Sequence, residues 1–303
     1  MIKRDKVKPN SWIYGNGAMI LSFHPCIVAD FQIILGDRAL NSEDLALIRK
    51  ADAIILPQSC SVEIYEVCQD SPARVFPNYD IRFRYPGKIG QSRLFKELRL
   101  PYPDTLQWPS VERFREKSHK VDDLPQGMPF LIKADRGHEG EGVYLITDQR
   151  ALELSLKRLN SLEKAGLSGF ISQELIPSDG NVLRAVILGN RTITYWKRTE
   201  SHGQIIATIS RGAKIEDNWR VDLQEKGTIQ AQKFYRATGI NLAAIDFVFP
   251  FDHPDPHPLF LEINYYFGRR GLGGSLNYYR LLFEAVREWL KENGLDPESV
   301  KLV

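Results

Sequence analysis

The sequence predicts an α/β and α+β chain, in which a small parallel sheet flanked by helices precedes a larger region of hairpin-joined strands. Two observations predict it. Short β-type runs alternate with helical patterns through the first third, the signature of a parallel sheet. From Pro129 onward the strands lengthen and their connections tighten.

The elements follow in order. "AMILSF" and "FQIIL" read as strands, and Ser42 is expected to cap the helix "EDLALIRKA", whose first turn is acidic. "AIILP" is a buried strand, Val62 to Gln69 a second helix and "ARVFP" another strand. "YPGKIG" breaks the alternation, and the helix "QSRLFKELR" ends at the two prolines of "LPYPDT". A helix at "SVERFREKS" leads into a polar linker. "DQRALELSLKRLNSLEKAG" has leucines at 152, 156 and 159 on one face and ends at Gly166. "GFISQELI" is a strand, "NVLRAVIL" and "RTITYWKR" form a hairpin over Gly189-Asn190, and "QIIATIS" is a further strand. After the helix "LQEKGTIQAQKFYRATG", the strands "LAAIDFVF" and "LFLEIN" flank a proline-rich loop. The helix "LNYYRLLFEAVREWLKENG" follows. Boundaries are expected near Pro86 and residue 180, giving segments 1–86, 87–180 and 181–303.

A hydrophobic content of 43% over 303 residues is ample for a large core. Lys and Arg number 40 against 38 Asp and Glu, a net charge of +2 that supplies no electrostatic reason to expect nucleic acid or an anionic membrane as partner. Three cysteines, Cys26, Cys60 and Cys68, form neither an even framework nor a C-x-x-C pair, which suits a reducing, cytoplasmic compartment. The basic start "MIKRDKVKPN" is followed by too short an apolar run for a signal peptide, and no stretch approaches a membrane span.

Three groups of residues could carry chemistry. In "FLIKADRGHEGEGVYLI", Gly137, Gly140 and Gly142 let backbone N–H groups approach an anion, and Lys133 ends the preceding strand as a point charge. The spacing is neither a P-loop nor a Rossmann fingerprint, and a plain hairpin fits the stretch equally well. Asp246, Glu262 and Asn264 form the second group. Glu262 and Asn264 lie two apart in a strand and share a face, and pairing of the two strands would bring Asp246 beside them. Three oxygen-bearing side chains among apolar neighbours suit a hard cation such as Mg²⁺ better than a solvated edge. The third group is cationic: Arg198, Arg211, Arg269 and Arg270 suit an anionic substrate, whereas Lys197 and Lys214 read as ordinary surface charge.

Taken together, the lysine on a strand, the Gly-rich strand-loop-strand, "QELI" and the D…E-x-N pattern resemble the ATP-grasp superfamily. The nearest branch is the RimK-like and glutathione-synthetase-like carboxylate–amine ligases. The resemblance covers about Lys88 to Gly274, and the first third resembles the pre-ATP-grasp domain that usually precedes the ATP-grasp fold. It implies that ATP lies between two lobes, with Lys133 and Lys88 on its phosphates and the loop Gly137 to Gly142 closing over them. Leu175 and Ile176 would face adenine with Glu174 close by, and Asp179 would meet the ribose. Asp246, Glu262 and Asn264 would hold two Mg²⁺ ions, with Mn²⁺ as a substitute. Arg211 and Arg198 would stand near the transferred phosphate as catalytic groups.

The sequence also departs from the pattern. Val182 replaces the acid two residues before Arg184, Thr208 stands where asparagine is usual, and "YYFGRRGLGG" replaces a proline-glycine turn. The implied chemistry is attack of a substrate carboxylate on the γ-phosphate, then displacement by an amine; the partners are those two small molecules or peptides, with a homo-oligomer left open. A kinase that stops at phosphorylation and a non-catalytic nucleotide-binding protein are the alternatives. No Ser/His/Asp or Cys/His arrangement is evident, His253 and His257 lack a third ligand, and His138 and Glu139 sit in the Gly-rich loop itself. Substrate is expected near Arg269, Arg270 and Tyr265, whose types suit an acidic group beside a flat or apolar one.

Overall fold

The computed structural model describes residues 17–118, 124–137, 142–199 and 213–303. Its first sheet is parallel, with strands β1 (Ile20–Ser22), β3 (Phe31–Gln32), β4 (Ala53–Ile55) and β5 (Arg74–Phe76) in the order β3-β1-β4-β5. The short β2 (Ile27–Val28) lies outside this sheet. Helices α1 (Ser42–Lys50) and α2 (Val62–Gln69) supply the crossovers that parallel pairing needs. Strand alternation divides the apolar residues. Ile54 packs with Leu21, Ile48 and Tyr65, whereas Ala53 and Ile55 join a different core. The cap of α1 is Asn41 rather than Ser42. Its side chain accepts from the Asp44 amide while Asp44 accepts from the Asn41 amide at 2.9 Å.

Helices α3 (Asp80–Arg84) and α4 (Gly87–Glu97) lead to a four-stranded antiparallel sheet of β6 (Thr105–Trp108), β7 (Phe130–Ala134), β8 (Val143–Ile146) and β9 (Phe170–Glu174), ordered β6-β9-β7-β8. Phe130, Ile132 and Phe170 point to one side, under α5 (Val111–Lys117) and α6 (Gln149–Lys164), and meet the leucine stripe Leu152, Leu156 and Leu159. Residues 175–181 then cross to a five-stranded antiparallel sheet. Its strands are β10 (Val182–Leu188), β11 (Arg191–Arg198), β12 (Lys214–Glu216), β13 (Leu242–Val248) and β14 (Leu259–Asn264), ordered β12-β11-β10-β13-β14. The hairpin over Gly189-Asn190 forms as the sequence predicts.

The five-stranded sheet is covered on both faces. Leu183, Ala185, Ile245 and Phe247 pack against α7 (Val221–Thr238) and α4. Val186, Leu188, Leu242 and Ala244 pack against α8 (Gly274–Glu292), which shows the stripe Tyr278, Leu282, Ala285, Val286 and Leu290. The same core takes in Ile20, Ala53, Ile55 and Phe76 of the parallel sheet, so α8 joins the two sheets. A last strand, β15 (Lys301–Leu302), pairs with β2. The expected strand at 204–210 lies outside the described residues. Among the described residues no helix is long and apolar enough to cross a membrane.

Helix α4 has the most consequence for the cleft between the antiparallel sheets. Its start is held by Asp135 at the end of β7, whose carboxylate accepts from the Ile89 amide at 2.7 Å, in the favourable electrostatic setting of a helix N-terminus. Gly87, at φ +69°, passes so close that an added Cβ would lie 2.3 Å from an Asp135 oxygen. Further along, buried Gln91 brackets the edge strand, accepting from the Ile263 amide and donating to its carbonyl at 2.8 Å each. Gln91→Leu leaves both groups unpaired. We expect a loss of about 1–3 kcal/mol in urea unfolding and faster hydrogen exchange at the Ile263 amide. Unchanged exchange there would mean the clamp is not what holds the edge.

Candidate active site

Alternation along β10, β11, β13 and β14 sorts the polar residues of the five-stranded sheet by face. Asp246 lies opposite both Arg184 and Glu262, and Asn264 lies opposite Ala244, one alternation step along the same face. The structure therefore brings Asp246, Glu262 and Asn264 together, as the sequence spacing predicts. Lys197 shares their face, opposite Val182. Expected at the surface, Lys197 is instead only 6% exposed.

Asp246 is the hub of this face, at 4% exposure. Arg184 grips it with two parallel bonds of 2.8 Å, Nε to Oδ1 and a terminal nitrogen to Oδ2. Lys197 Nζ donates to Oδ2 at 2.8 Å and Asn264 Nδ2 at 3.2 Å. Burial alone would raise the Asp246 carboxyl, but Arg184 and Lys197 outweigh it and hold it well below the usual carboxylate range.

Arg198, expected beside the transferred phosphate, follows Lys197 by one residue and therefore faces the other way. Its Nη1 bonds both Glu216 oxygens at 2.8 Å, and its guanidinium lies 4.2 Å from the Trp219 ring centre. The residue that reaches Asp246 is Lys197. Arg211 and Gly140 lie outside the described residues, as do His138, Glu139 and Thr208.

Across the cleft, β7 turns Lys133 away from the aromatic core and toward the five-stranded sheet. Its Nζ donates to Gln173 Oε1 at 2.6 Å; Gln173 in turn donates to Thr105 Oγ1 at 2.9 Å. This relay holds the ammonium at 8% exposure. Burial pushes Lys133 down to about 8; Glu262 and Asp246 oppose the shift and Lys88 adds to it. Lys88, on the first turn of α4, stands 3.7 Å from Glu262 and 3.5 Å from the Gly137 carbonyl. Gly142, at φ +71°, accepts from the Ala134 amide at 2.8 Å and closes the base of the loop.

The remaining candidates lie at the crossing between the sheets. Leu175 and Ile176 are half-buried within it, and Glu174 ends β9, where its carboxylate accepts from the Asp104 amide at 3.3 Å. Asp179 is exposed at φ +50°, its carbonyl accepting from Thr199 Oγ1 at 2.8 Å. Tyr265, Arg269 and Arg270 follow β14 on the side of the parallel sheet.

Lys88, Lys133, Arg184 and Lys197 thus face Asp246 and Glu262, four cations against two carboxylates. The excess positive charge in a partly closed cleft suits a polyphosphate. Two oxygen donors suit a hard cation: the Glu262 carboxylate, which meets Lys88 only through a loose 3.7 Å contact at one oxygen, and Asn264 Oδ1, which has no partner among the described residues. Asp246 fits less well, because Arg184 and Lys197 already occupy its oxygens. Among the described residues no group of three or more His, Cys, Asp and Glu side chains could hold a metal, so a cation here depends on Asn264.

A two-lobed antiparallel scaffold with a cationic cleft is the architecture of ATP-grasp proteins, and solved structures bear this out at the level of fold. A RimK-domain ATP-grasp protein from Sphaerobacter thermophilus aligns over 88% of this chain and 98% of its own, at TM-score 0.54 and 16% identity. A D-alanine–D-alanine ligase from Bacillus anthracis aligns over 87% of each chain at TM-score 0.57 and 14% identity. The RimK-like ATP-grasp domain matches residues 105–275, and the chain belongs to that family. A protein of Shewanella loihica described as a probable alpha-L-glutamate ligase is 25% identical over 186 residues, 59% of this chain and 58% of the relative. The match thus spans less than two thirds of that relative's length.

Proposed function

We propose that this protein is an ATP-dependent carboxylate–amine ligase that joins an acid to an amine through an acylphosphate. The observation that carries the reading is the meeting of Lys133 and Lys88 with Glu262 and Asp246 across the cleft. Family membership and the description of its relatives as ligases support it.

In this reading Lys133 and Lys88 hold the phosphates, and the loop from Gly137 to Gly142 covers them. Leu175 and Ile176 present backbone groups to adenine beside Glu174, and Asp179 serves the ribose. Mg²⁺ at Glu262 and Asn264 would screen phosphate charge and orient the γ-phosphate. A second ion bound at Asp246 requires Lys197 or Arg184 to give way. Arg211 is assigned to the transferring phosphoryl group from sequence alone. The substrate carboxylate attacks in line at γ-phosphorus and ADP leaves; the amine nitrogen then attacks the acyl carbon, releasing phosphate and a proton. No covalent protein nucleophile is needed, because the side chains position and neutralise. Segment 1–86 would contribute to the acid site, 87–180 would cover ATP, and 181–303 would carry the metal.

Hydroxylamine, a small amine that captures acylphosphates, provides the test. With Mg-ATP and a pool of carboxylic acids, we expect hydroxamate and ADP in equal amounts. Phosphorylated product without hydroxamate would indicate a kinase, and no ADP with any acid would overturn the proposal. Glu262→Gln is expected to lower turnover by about 10–100-fold and to move the Mg²⁺ titration to higher concentration. An unmoved titration would remove Glu262 from the metal site.

A further inference from the structure

Two arginines at the seam between the parallel sheet and the turn after β14 have no carboxylate partner among the described residues. The Arg269 guanidinium lies 4.6 Å from the ring centres of both Tyr278 and Tyr279, and its nitrogens make no hydrogen bond or ion pair among the described residues. Arg82, on α3, lies 4.8 Å from the Tyr79 ring, 4.9 Å from Phe83 and 5.1 Å from Tyr266. Among the described residues its guanidinium donates only to the Gln58 carbonyl at 3.0 Å and to Tyr266 Oη at 3.3 Å.

Gln58 links the two. Its Nε2 donates to the Tyr265 carbonyl at 2.7 Å and its Oε1 accepts from Tyr278 Oη at 3.3 Å. Tyr265 Oη is buried beside this cluster with no partner among the described residues. His24 edges onto Tyr279 and is kept neutral: burial first, then Arg269, pushes it down to about 4. Ring faces hold a guanidinium in place and partly offset its desolvation, but they leave its N–H edge free for an anion. Guanidinium edges present a fork that matches a carboxylate.

The position decides which anion. Lys88 meets Glu262 from α4, whereas the chain leaving Asn264 is held at the Tyr265 carbonyl by Gln58 and at Tyr266 by Arg82 before it reaches Arg269. An acid whose reacting carboxylate reaches the metal-bearing face therefore extends its far end toward Arg82 and Arg269. We propose that this seam binds a second carboxylate on the acid substrate, so that the substrate class is a dicarboxylic acid, read by Arg269 and Arg82. The inference rests on the ligase reading for the role of the first carboxylate.

Calorimetric titration of the full chain with succinate, glutarate and isophthalate, each against its monomethyl ester, tests it. At least one diacid is expected to bind about 10-fold or more tightly than its half-ester, a difference of about 1.4 kcal/mol. Arg269→Gln and Arg82→Gln should each reduce that preference; a Tyr266→Phe control separates loss of the arginine edge from loosening of the ring nest. Equal binding of diacid and half-ester, or a preference that survives both arginine variants, overturns the proposal. ATP binding measured on the same samples keeps the two readings apart. Diacid preference without nucleotide binding would sink the ligase reading and leave the anion subsite standing; nucleotide binding without diacid preference would do the reverse.

Discussion

Asp246→Asn is expected to lower the unfolding free energy by about 3–5 kcal/mol, because it leaves the Arg184 guanidinium and the Lys197 ammonium buried without their counter-charge. Urea unfolding at pH 7 measures it. The sign of the pH dependence follows from the same contacts. The native Asp246 carboxyl titrates below its ordinary value of 3.8, so its contribution is complete above that value and is lost as pH falls below it. Wild type should therefore lose stability between pH 4 and pH 2 more steeply than the variant. Unchanged stability would mean that the arginine and lysine find other partners, and that Asp246 is free to bind metal.

Lys133→Met is expected to act in two opposed directions. Nucleotide affinity should fall by about 10–100-fold, since the ammonium most enclosed in the cleft is gone. The nucleotide-free protein should become more stable, by about 1–3 kcal/mol, because a buried ammonium is replaced by an apolar chain of similar length. Lys133 is pushed down to about 8 from 10.5, so between those values the unfolded chain binds more protons than the native one and wild-type stability rises with pH. The stability gap between variant and wild type should accordingly shrink from pH 7 to pH 9.5. Melts at both pH values, with and without ATP, check each half. A destabilised variant would show that the bond to Gln173 outweighs the burial of charge.

Much of this architecture was legible from periodicity. The hairpin over Gly189-Asn190, the leucine face of α6 and the pairing of Asp246 with Glu262 all follow from patterns of 2 and 3.6 residues. Other features turn on a single position. Asn41 and Ser42 can both cap a helix, and only the reciprocal bond with Asp44 separates them. Lys197 and Arg198 are equally charged neighbours in a strand, and the sequence alone does not say which faces Asp246. The register separates them: Val182, opposite Lys197, offers that lysine no charge partner within the pair, and Asp246 supplies one. Gln91 and Gln173 were legible only as polar residues in apolar surroundings, because their partners lie 172 and 40 residues away. Strands β6 and β15 and helix α3 are too short to establish a period.

The core that α8 shares with the parallel sheet has a consequence for how the chain is made. Residues 20–76 leave the ribosome before residues 274–292, and the core over Ala53, Ile55 and Phe76 is completed only when those later residues follow. At about 5–20 residues per second, that apolar face waits on the order of 10–40 s during synthesis. Over that interval the nascent chain is a natural client for holdase chaperones, and its last helix acts as the closing latch of its first sheet.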